Sequence, residues 1–287
     1  MKIAETKIRE ILQSVYPYTI LDNNSLSPYP LILLPDKQLA FHIISIDKNS
    51  GNEFLFYNLS NSYLACGIRL IQLWEDFLVN KQAIVESRIK LLLGSFTRIH
   101  ARQTRVERID KHLSDKFLND NNLYGSPTAK YRYGLYLDNT LLAVASFSAI
   151  RSYWRDGIPY RSAELVRFAN LNGYSVAGGL SKLLVHFIRE QKPDDVMSYA
   201  DRDWSIGTSY EELGFQKIEY TMPQMFWIHP DELIRYYPRR LPHSIIENFQ
   251  AQNEIKIMDD YLLSKGYLKI FNVGNIKYIL NLKKLNG

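Results

Sequence analysis

Residues 164–215 read ELVRFANLNGYSVAGGLSKLLVHFIREQKPDDVMSYADRDWSIGTSYEELGF, and this stretch decides the fold. Residues 164–168 alternate apolar and charged side chains, the two-residue period of a strand. A turn-rich segment, 170–175, follows. Gly178 and Gly179 then open an apolar run at helical spacing (Leu180, Leu183, Leu184, Phe187, Ile188), which Lys192-Pro193-Asp194-Asp195 stops. Residues 196–200 form an apolar run between turn signals, as in a buried strand. Residues 209–213 make a short helix closed by Gly214. A helix with a glycine-rich first turn presents N–H groups and the positive end of its dipole, and it lets a phosphate approach the backbone.

This stretch resembles the acyl-CoA-binding core of the GNAT superfamily. Ser175-Val-Ala-Gly178-Gly179-Leu180 stands where that family has its phosphate-binding loop and shares the central glycine. Tyr210-Glu-Glu-Leu213-Gly214-Phe215 resembles the family's last helix and following strand. The resemblance implies acetyl-CoA or a related acyl-CoA as cofactor, faced by Gly178, Gly179, Ser181 and Lys182. Glu164-Leu-Val-Arg167, Ser198-Tyr199-Ala200-Asp201 and Tyr210 further resemble the phage Mom-type DNA modification proteins, a divergent GNAT branch. That likeness implies a transferase modifying a DNA base. Asp201 would orient or deprotonate the attacked amine, Tyr210 would act as acid or hydrogen-bond donor, and Arg167 would meet an anionic group. In such a sheet the strands at 164–168 and 196–200 are neighbours that splay apart. Their splay opens a cleft on which Asp201, Tyr210 and the glycine turn converge. The residues taken singly allow other roles: Asp201 as a helix cap, and Arg167 as the partner of Glu164.

Upstream, residues 4–15 repeat apolar side chains at helical spacing, and residues 18–21 form a short strand. Residues 31–34 and 39–46 read as paired strands around Pro35-Asp36-Lys37. A helix at 58–66, a buried strand at 68–74 and a helix at 81–93 follow. This order, with Gly67-Ile-Arg-Leu-Ile-Gln-Leu-Trp74-Glu-Asp76 after a helix, resembles the Vsr-like branch of the PD-(D/E)xK nucleases. In that resemblance the metal-binding carboxylates fall at Leu31 and His42, which are not carboxylates. Glu75 and Asp76 read as caps of a loop. The expectation is a nuclease-like fold without nuclease chemistry and without a metal.

Residues 95–110 read as an edge strand rich in arginine, 111–119 as a helix, and 131–137 with 141–148 as a hairpin. Residues 151–160 (RSYWRDGIPY) form a polar-aromatic loop, whose rings either stack on a base or cover the core. The tail adds a helix at 254–263 and a hairpin of 267–271 with 277–282.

The predicted organisation is thus α/β (α+β) in three consecutive domains. Residues 1–95 are restriction-endonuclease-like, 96–230 form a GNAT-like mixed sheet flanked by helices, and 231–287 are a basic helix-and-hairpin extension. Net charge is +5, distributed as 0, +2 and +3 over those segments. This balance permits weak DNA binding, for which Arg102, Arg105, Arg239 and Arg240 are the candidates. Cys66 is the single cysteine, so no disulfide framework forms, and it is expected in the core. No apolar leader or membrane-length run is present, which predicts a cytoplasmic protein without a membrane partner. Two further functions stay open: a CoA-dependent N-acetyltransferase acting on a small molecule or protein, and a non-enzymatic DNA-binding module.

Overall fold

The computed structural model describes residues 6, 8–12, 20–22, 27–155, 157–252 and 254–283. The fold is mixed α/β, with sheets flanked by helices. Two compact units interleave along the chain. The first comprises Met1–Gln82, Asp201–Ile206 and Thr221–Asn275, and the second Ala83–Ala200, Gly207–Tyr220 and Ile276–Gly287. These units do not coincide with the expected consecutive division at residues 95 and 230. Residues 201–206 and 221–275 make their tertiary contacts with the N-terminal segment.

In chain order the first unit supplies β1 (Ile20–Asp22), β2 (Leu31–Leu34), β3 (Leu39–Ile44), α1 (Leu55–Ala65), β4 (Arg69–Trp74) and α2 (Glu75–Asn80). The second unit follows with α3 (Gln82–Leu93), β5 (Thr97–His100), β6 (Arg105–Arg108), α4 (Lys111–Asn121), β7 (Tyr131–Leu137), β8 (Thr140–Phe147), β9 (Arg151–Arg155) and β10 (Ile158–Asn170). It continues with β11 (Tyr174–Ala177), α5 (Gly179–Gln191), β12 (Asp195–Asp201), α6 (Thr208–Glu212) and β13 (Gln216–Tyr220). The chain then returns to the first unit for β14 (Met225–Ile228), β15 (Arg235–Tyr236), α7 (His243–Ala251), α8 (Met258–Ser264) and β16 (Leu268–Phe271). It ends in the second unit with β17 (Asn275–Asn281).

The first unit contains a sheet ordered β1-β2-β3-β4. β3 is buried along its whole length, because it lies between β2 and β4 and is apolar at nearly every position. Leu31 and His42 stand directly opposite each other on β2 and β3. His42 is buried and hydrogen-bonded at both ring nitrogens, to Ser27 (2.7 Å) and to Gln72 (2.6 Å). Glu75 accepts the Ile46 N–H (2.9 Å). Asp76 is a buried ion-pair partner rather than a loop cap, held by two bonds from Arg235 (2.6 and 2.8 Å). Cys66 is exposed, contrary to the core expectation. Burial along α1 falls on Phe56, Leu59 and Ser60, so the last turn is open to solvent.

The second unit is built on a sheet ordered β13-β17-β12-β10-β8-β7-β6, with β9 added to β10. Ala143, Ala145 and Phe147 of β8 belong to the core that includes Leu183, Leu184 and Phe187 of α5. Val144, on the opposite face, packs with Phe117 and Leu118 of α4. The two-residue alternation of β8 therefore buries both sheet faces under a helix. The alanines bring α5 close enough for Phe147 and Phe187 to stack at 4.0 Å.

Three local readings differ from expectation. Residues 95–110 are not one strand: a 3₁₀ turn at Ala101–Gln103 separates β5, which pairs with β11, from β6, which pairs with β7. Residues 151–160 are no loop but the two arms of a hairpin, β9 with the start of β10. The tail hairpin does not exist: β16 pairs with β14, and β17 pairs with β13. Residues 4–5, 7 and 13–15 of the expected first helix, and 18–19 of the first strand, lie outside the described residues. Among the described residues no helix is long and apolar enough to cross a membrane.

Candidate functional site

β10 and β12 pair in parallel over only four positions, from Ser162 with Asp195 to Leu165 with Ser198. Both strands then continue, β10 to Asn170 and β12 to Asp201. At the same point the register of β10 against β8 skips a residue between Leu165 and Arg167, so Val166 is a bulge. A bulge bends its strand and ends pairing locally. The Leu165 carbonyl accepts the Ser198 hydroxyl instead (2.9 Å). β10 and β12 thus part just beyond Leu165 and Ser198.

Tyr210 of α6 reaches this point. Its hydroxyl lies 3.0 Å from that of Ser198. The Ser198 hydroxyl thus has two acceptors within reach, the Leu165 carbonyl and the Tyr210 oxygen, for its one proton. Burial holds the phenol above the ordinary tyrosine value, opposed by the bond to Ser198 and by the charge of Arg167. Tyr210 is therefore a neutral proton donor at physiological pH. Its ring stacks on Tyr278 of β17 (centroids 5.2 Å, planes 20° apart) and meets the edge of Phe215. Tyr278 in turn donates to Glu211 (2.9 Å). Gly207, which precedes α6, is left-handed (φ +89°), and a Cβ there would sit 2.0 Å from the Tyr278 hydroxyl oxygen. Only glycine fits both the backbone and the ring.

Arg167 lies just past the bulge. Its guanidinium donates to the Val166 carbonyl (3.0 Å) and sits over the Tyr124 ring (5.6 Å). Its Nε is buried without a hydrogen-bond partner among the described residues. No ion pair joins it to Glu164 there, whose backbone N–H donates to the Ser148 hydroxyl oxygen (2.9 Å).

The glycine turn forms a second group. Gly178 caps α5 in the left-handed region (φ +76°), and only the Ala101 Cβ lies within 4 Å of where its Cβ would be. Beside it is an open cleft of about 360 Å³ lined by Val106, Gly178, Ser181, Lys182, Val185, His186 and Arg189. Lys182 is less available than its charge suggests. Its ammonium donates to the carbonyls of Ala101 (2.8 Å) and Thr104, pinning the 3₁₀ turn to α5. Gly179 is buried, and a Cβ there would press on Val176 and Leu135 at 3.0 and 3.1 Å. Gly179 therefore serves close packing, whereas Gly178 and Ser181 face the cleft.

Asp201 ends β12. Its carboxylate accepts the Asp203 N–H (3.0 Å) and its carbonyl the Ser205 N–H (2.8 Å), so it closes a turn. In the first unit Asp203 is fully buried and accepts from the Trp74 indole (3.0 Å) and the Val273 N–H (2.8 Å). Burial, then the charge of Asp201, holds Asp203 above the usual carboxylate range. Of the basic candidates, Arg102 and Arg105 are exposed in the second unit, and Arg239 and Arg240 in the first. Arg105 is engaged by Glu107 (2.6 Å). The sequence motifs carry no role for Ser198 or Tyr278. Tyr278 carries no local signal, because its place beside Tyr210 depends on where β17 inserts in the sheet.

No protein-family model matches this chain, and no curated protein sequence matches it. Solved structures similar to it include a conserved protein of unknown function from Enterococcus faecalis V583, described as a probable N-acyltransferase. It is 19% identical, over 44% of this chain and 35% of that one, with a TM-score of 0.31. A GNAT family acetyltransferase from Elizabethkingia anophelis with acetyl-CoA bound is 10% identical, over 63% and 99%, at 0.33. The IAA acetyltransferase of Bacillus cereus ATCC 14579 is 14% identical, over 62% and 99%, at 0.35. The chain thus spans about a third of the first protein and nearly all of the other two.

Proposed function

We propose that the second unit is an N-acyltransferase of the GNAT type that takes an acyl-CoA thioester. The observation that carries this reading is the parting of β10 and β12 with Tyr210, Ser198 and Arg167 at the gap. Parted strands leave backbone N–H groups without ladder partners, and such groups suit a developing oxyanion. Acyl transfer forms a C–N bond and breaks a C–S bond, and the departing thiolate needs a proton. Tyr210 is neutral, hydrogen-bonded and held by Tyr278, which fits that donor role. Arg167, with its unsatisfied Nε, is placed to meet an anionic group. The amine's proton passes to solvent, because Asp201 belongs to the first unit and its carboxylate closes a turn there. Gly178 and Ser181 at the start of α5 suit the phosphates of the donor, with Lys182 as a structural anchor beside them.

The test is acetyl-CoA binding by calorimetry, followed by thiol release in the presence of amines. Tyr210→Phe is expected to slow transfer by roughly a hundredfold or more with binding and melting temperature retained. Absence of acetyl-CoA binding at millimolar donor overturns the reading and favours a non-enzymatic module. The finer reading, that the acceptor is a DNA base rather than a small-molecule or protein amine, is supported by the basic excess in residues 96–287. Modified bases absent from the DNA of expressing cells would remove it. A nuclease-like ancestry for the first unit, with Leu31 and His42 in place of metal ligands, belongs to the same DNA-associated reading.

A further inference from the structure

The β9–β10 hairpin separates two roles that its sequence left mixed. Tyr160 covers the core: it is buried, and its hydroxyl donates to Asp195 (2.9 Å). Tyr153 leans on it at 5.4 Å. Trp154 does neither. It is 74% exposed, the most exposed large apolar side chain among the described residues. All five residues of β9 are exposed, and Ile158, opposite Arg155, is 58% exposed. An indole in water with arginines on its own strand contributes nothing to stability that explains it.

We propose that this hairpin is a docking surface for single-stranded nucleic acid. Residues 151–161 carry Arg151, Arg155 and Arg161 against Asp156, a net +2. Arg161 is committed to the carbonyls of Gln191 (2.9 Å) and Lys192 (3.0 Å), whereas Arg151 and Arg155 are exposed, Arg155 with its guanidinium over the Tyr160 ring (5.1 Å). Among the described residues β9 pairs only with β10, and none of them pairs with its outer edge. Side chains alternate along it: Trp154 projects to one face, Arg151, Tyr153 and Arg155 to the other. A nucleic-acid strand wrapping round that edge meets an aromatic plane for a base on one face and guanidinium groups for phosphates on the other. Stacking on an aromatic ring beside positive charge is the chemistry of sequence-tolerant single-strand binding. A second copy of this chain fits less well, because arginines on an edge strand oppose strand-to-strand addition.

The protein carries its own probe. Of its four tryptophans, Trp74, Trp204 and Trp227 are at most 2% exposed, so solvent-exposed emission comes from Trp154. The probe ligand is a dodecamer of deoxythymidine, without acyl-CoA, so that failure here leaves the transferase reading untouched. Expected is saturable quenching that weakens with salt. Trp154→Ala is expected to weaken binding of a labelled dodecamer by roughly tenfold or more, read by anisotropy. Arg151→Gln with Arg155→Gln should flatten the log–log salt slope by roughly 1.4, two phosphates at about 0.7 each. Both are surface changes, and an unchanged melting temperature confirms folding. Emission unaffected by the dodecamer, or wild-type affinity in Trp154→Ala, overturns the proposal. Equal binding of duplex DNA refutes stacking. Quenching by anionic vesicles alone, or a dimer abolished by Trp154→Ala without dodecamer binding, assigns the surface to a membrane or to a second copy.

Discussion

Acidification should weaken the first unit through one side chain, His42. The amide of Gln72 fixes the chain of bonds: its Nε2 donates to Ser60 (2.9 Å), so its oxygen takes the Nδ1 proton of His42 (2.6 Å). The His42 Nε2 is then the acceptor of the Ser27 hydroxyl (2.7 Å). A second ring proton would turn the Ser27 hydroxyl from donor to acceptor and place a charge in a buried core. Burial accordingly lowers the pKa from 6.5 to about 4, against the raising effect of Gln72. The unfolded chain binds a proton near pH 6.5 and the folded chain only near 4, so stability is lost as pH falls through this window. At about 1.4 kcal/mol per pH unit, the full loss is about 3 kcal/mol below pH 4, and about 2 kcal/mol is already gone at pH 5. Three tryptophans, Trp74, Trp204 and Trp227, are buried in the first unit, so urea unfolding followed by their fluorescence reads the unit concerned. Wild-type protein should lose about 2 kcal/mol more between pH 7.5 and pH 5 than His42→Gln does. This comparison cancels groups common to both proteins, including Asp203, whose raised pKa acts with the opposite sign. Equal losses in the two proteins would show that His42 is not held neutral.

Two further outcomes concern single contacts. Gly207→Ala should cost on the order of 3 kcal/mol, from the left-handed backbone and the clash with Tyr278, and should disturb Tyr210; a melting temperature within a degree of wild type would refute this. Arg235→Ala leaves the buried Asp76 carboxylate without its bidentate partner among the rings of Trp74, Phe77 and Phe226. It should cost about 3–5 kcal/mol, largely restored when Asp76 is also made apolar; a single-variant loss under about 1 kcal/mol would contradict the pairing.

The strand at 164–168, the helix after Gly178 and the strand at 196–200 were legible because their signals are local, whereas β11 (Tyr174–Ala177) began in a stretch read as turn. Alternation gives the strand, Leu183, Leu184 and Phe187 give the buried helix face, and Gly178 opens that helix with a backbone that other residues rarely adopt. The hairpin at 151–160 was not legible, since β9 is exposed at every position and so has no apolar face to alternate. The tail misled for a different reason. Asn272-Val-Gly-Asn275 has the composition of a hairpin turn, yet it hands the chain from one sheet to another. The partners of β16 and β17 lie far upstream, on β14 and β13. Within the site, Tyr210 and Arg167 could be named from sequence motifs. The bulge at Val166 and the Ser198 bond to Leu165 are consequences of strand pairing, which spacing along the chain does not encode.

The interleaving of the two units bears on how the polypeptide is made and cut. The first unit lacks Asp203, Trp227 and Arg235 until residues well past 200 have left the ribosome, and the second lacks Tyr278 until β17 is complete. Early segments such as Trp74 and Asp76 must wait for their later partners Asp203 and Arg235, a state in which aggregation competes with folding. No single break in the backbone yields two intact halves. A truncation at residue 95 or 230, natural for a string of separate domains, removes a strand or a buried anchor from each unit it was meant to isolate.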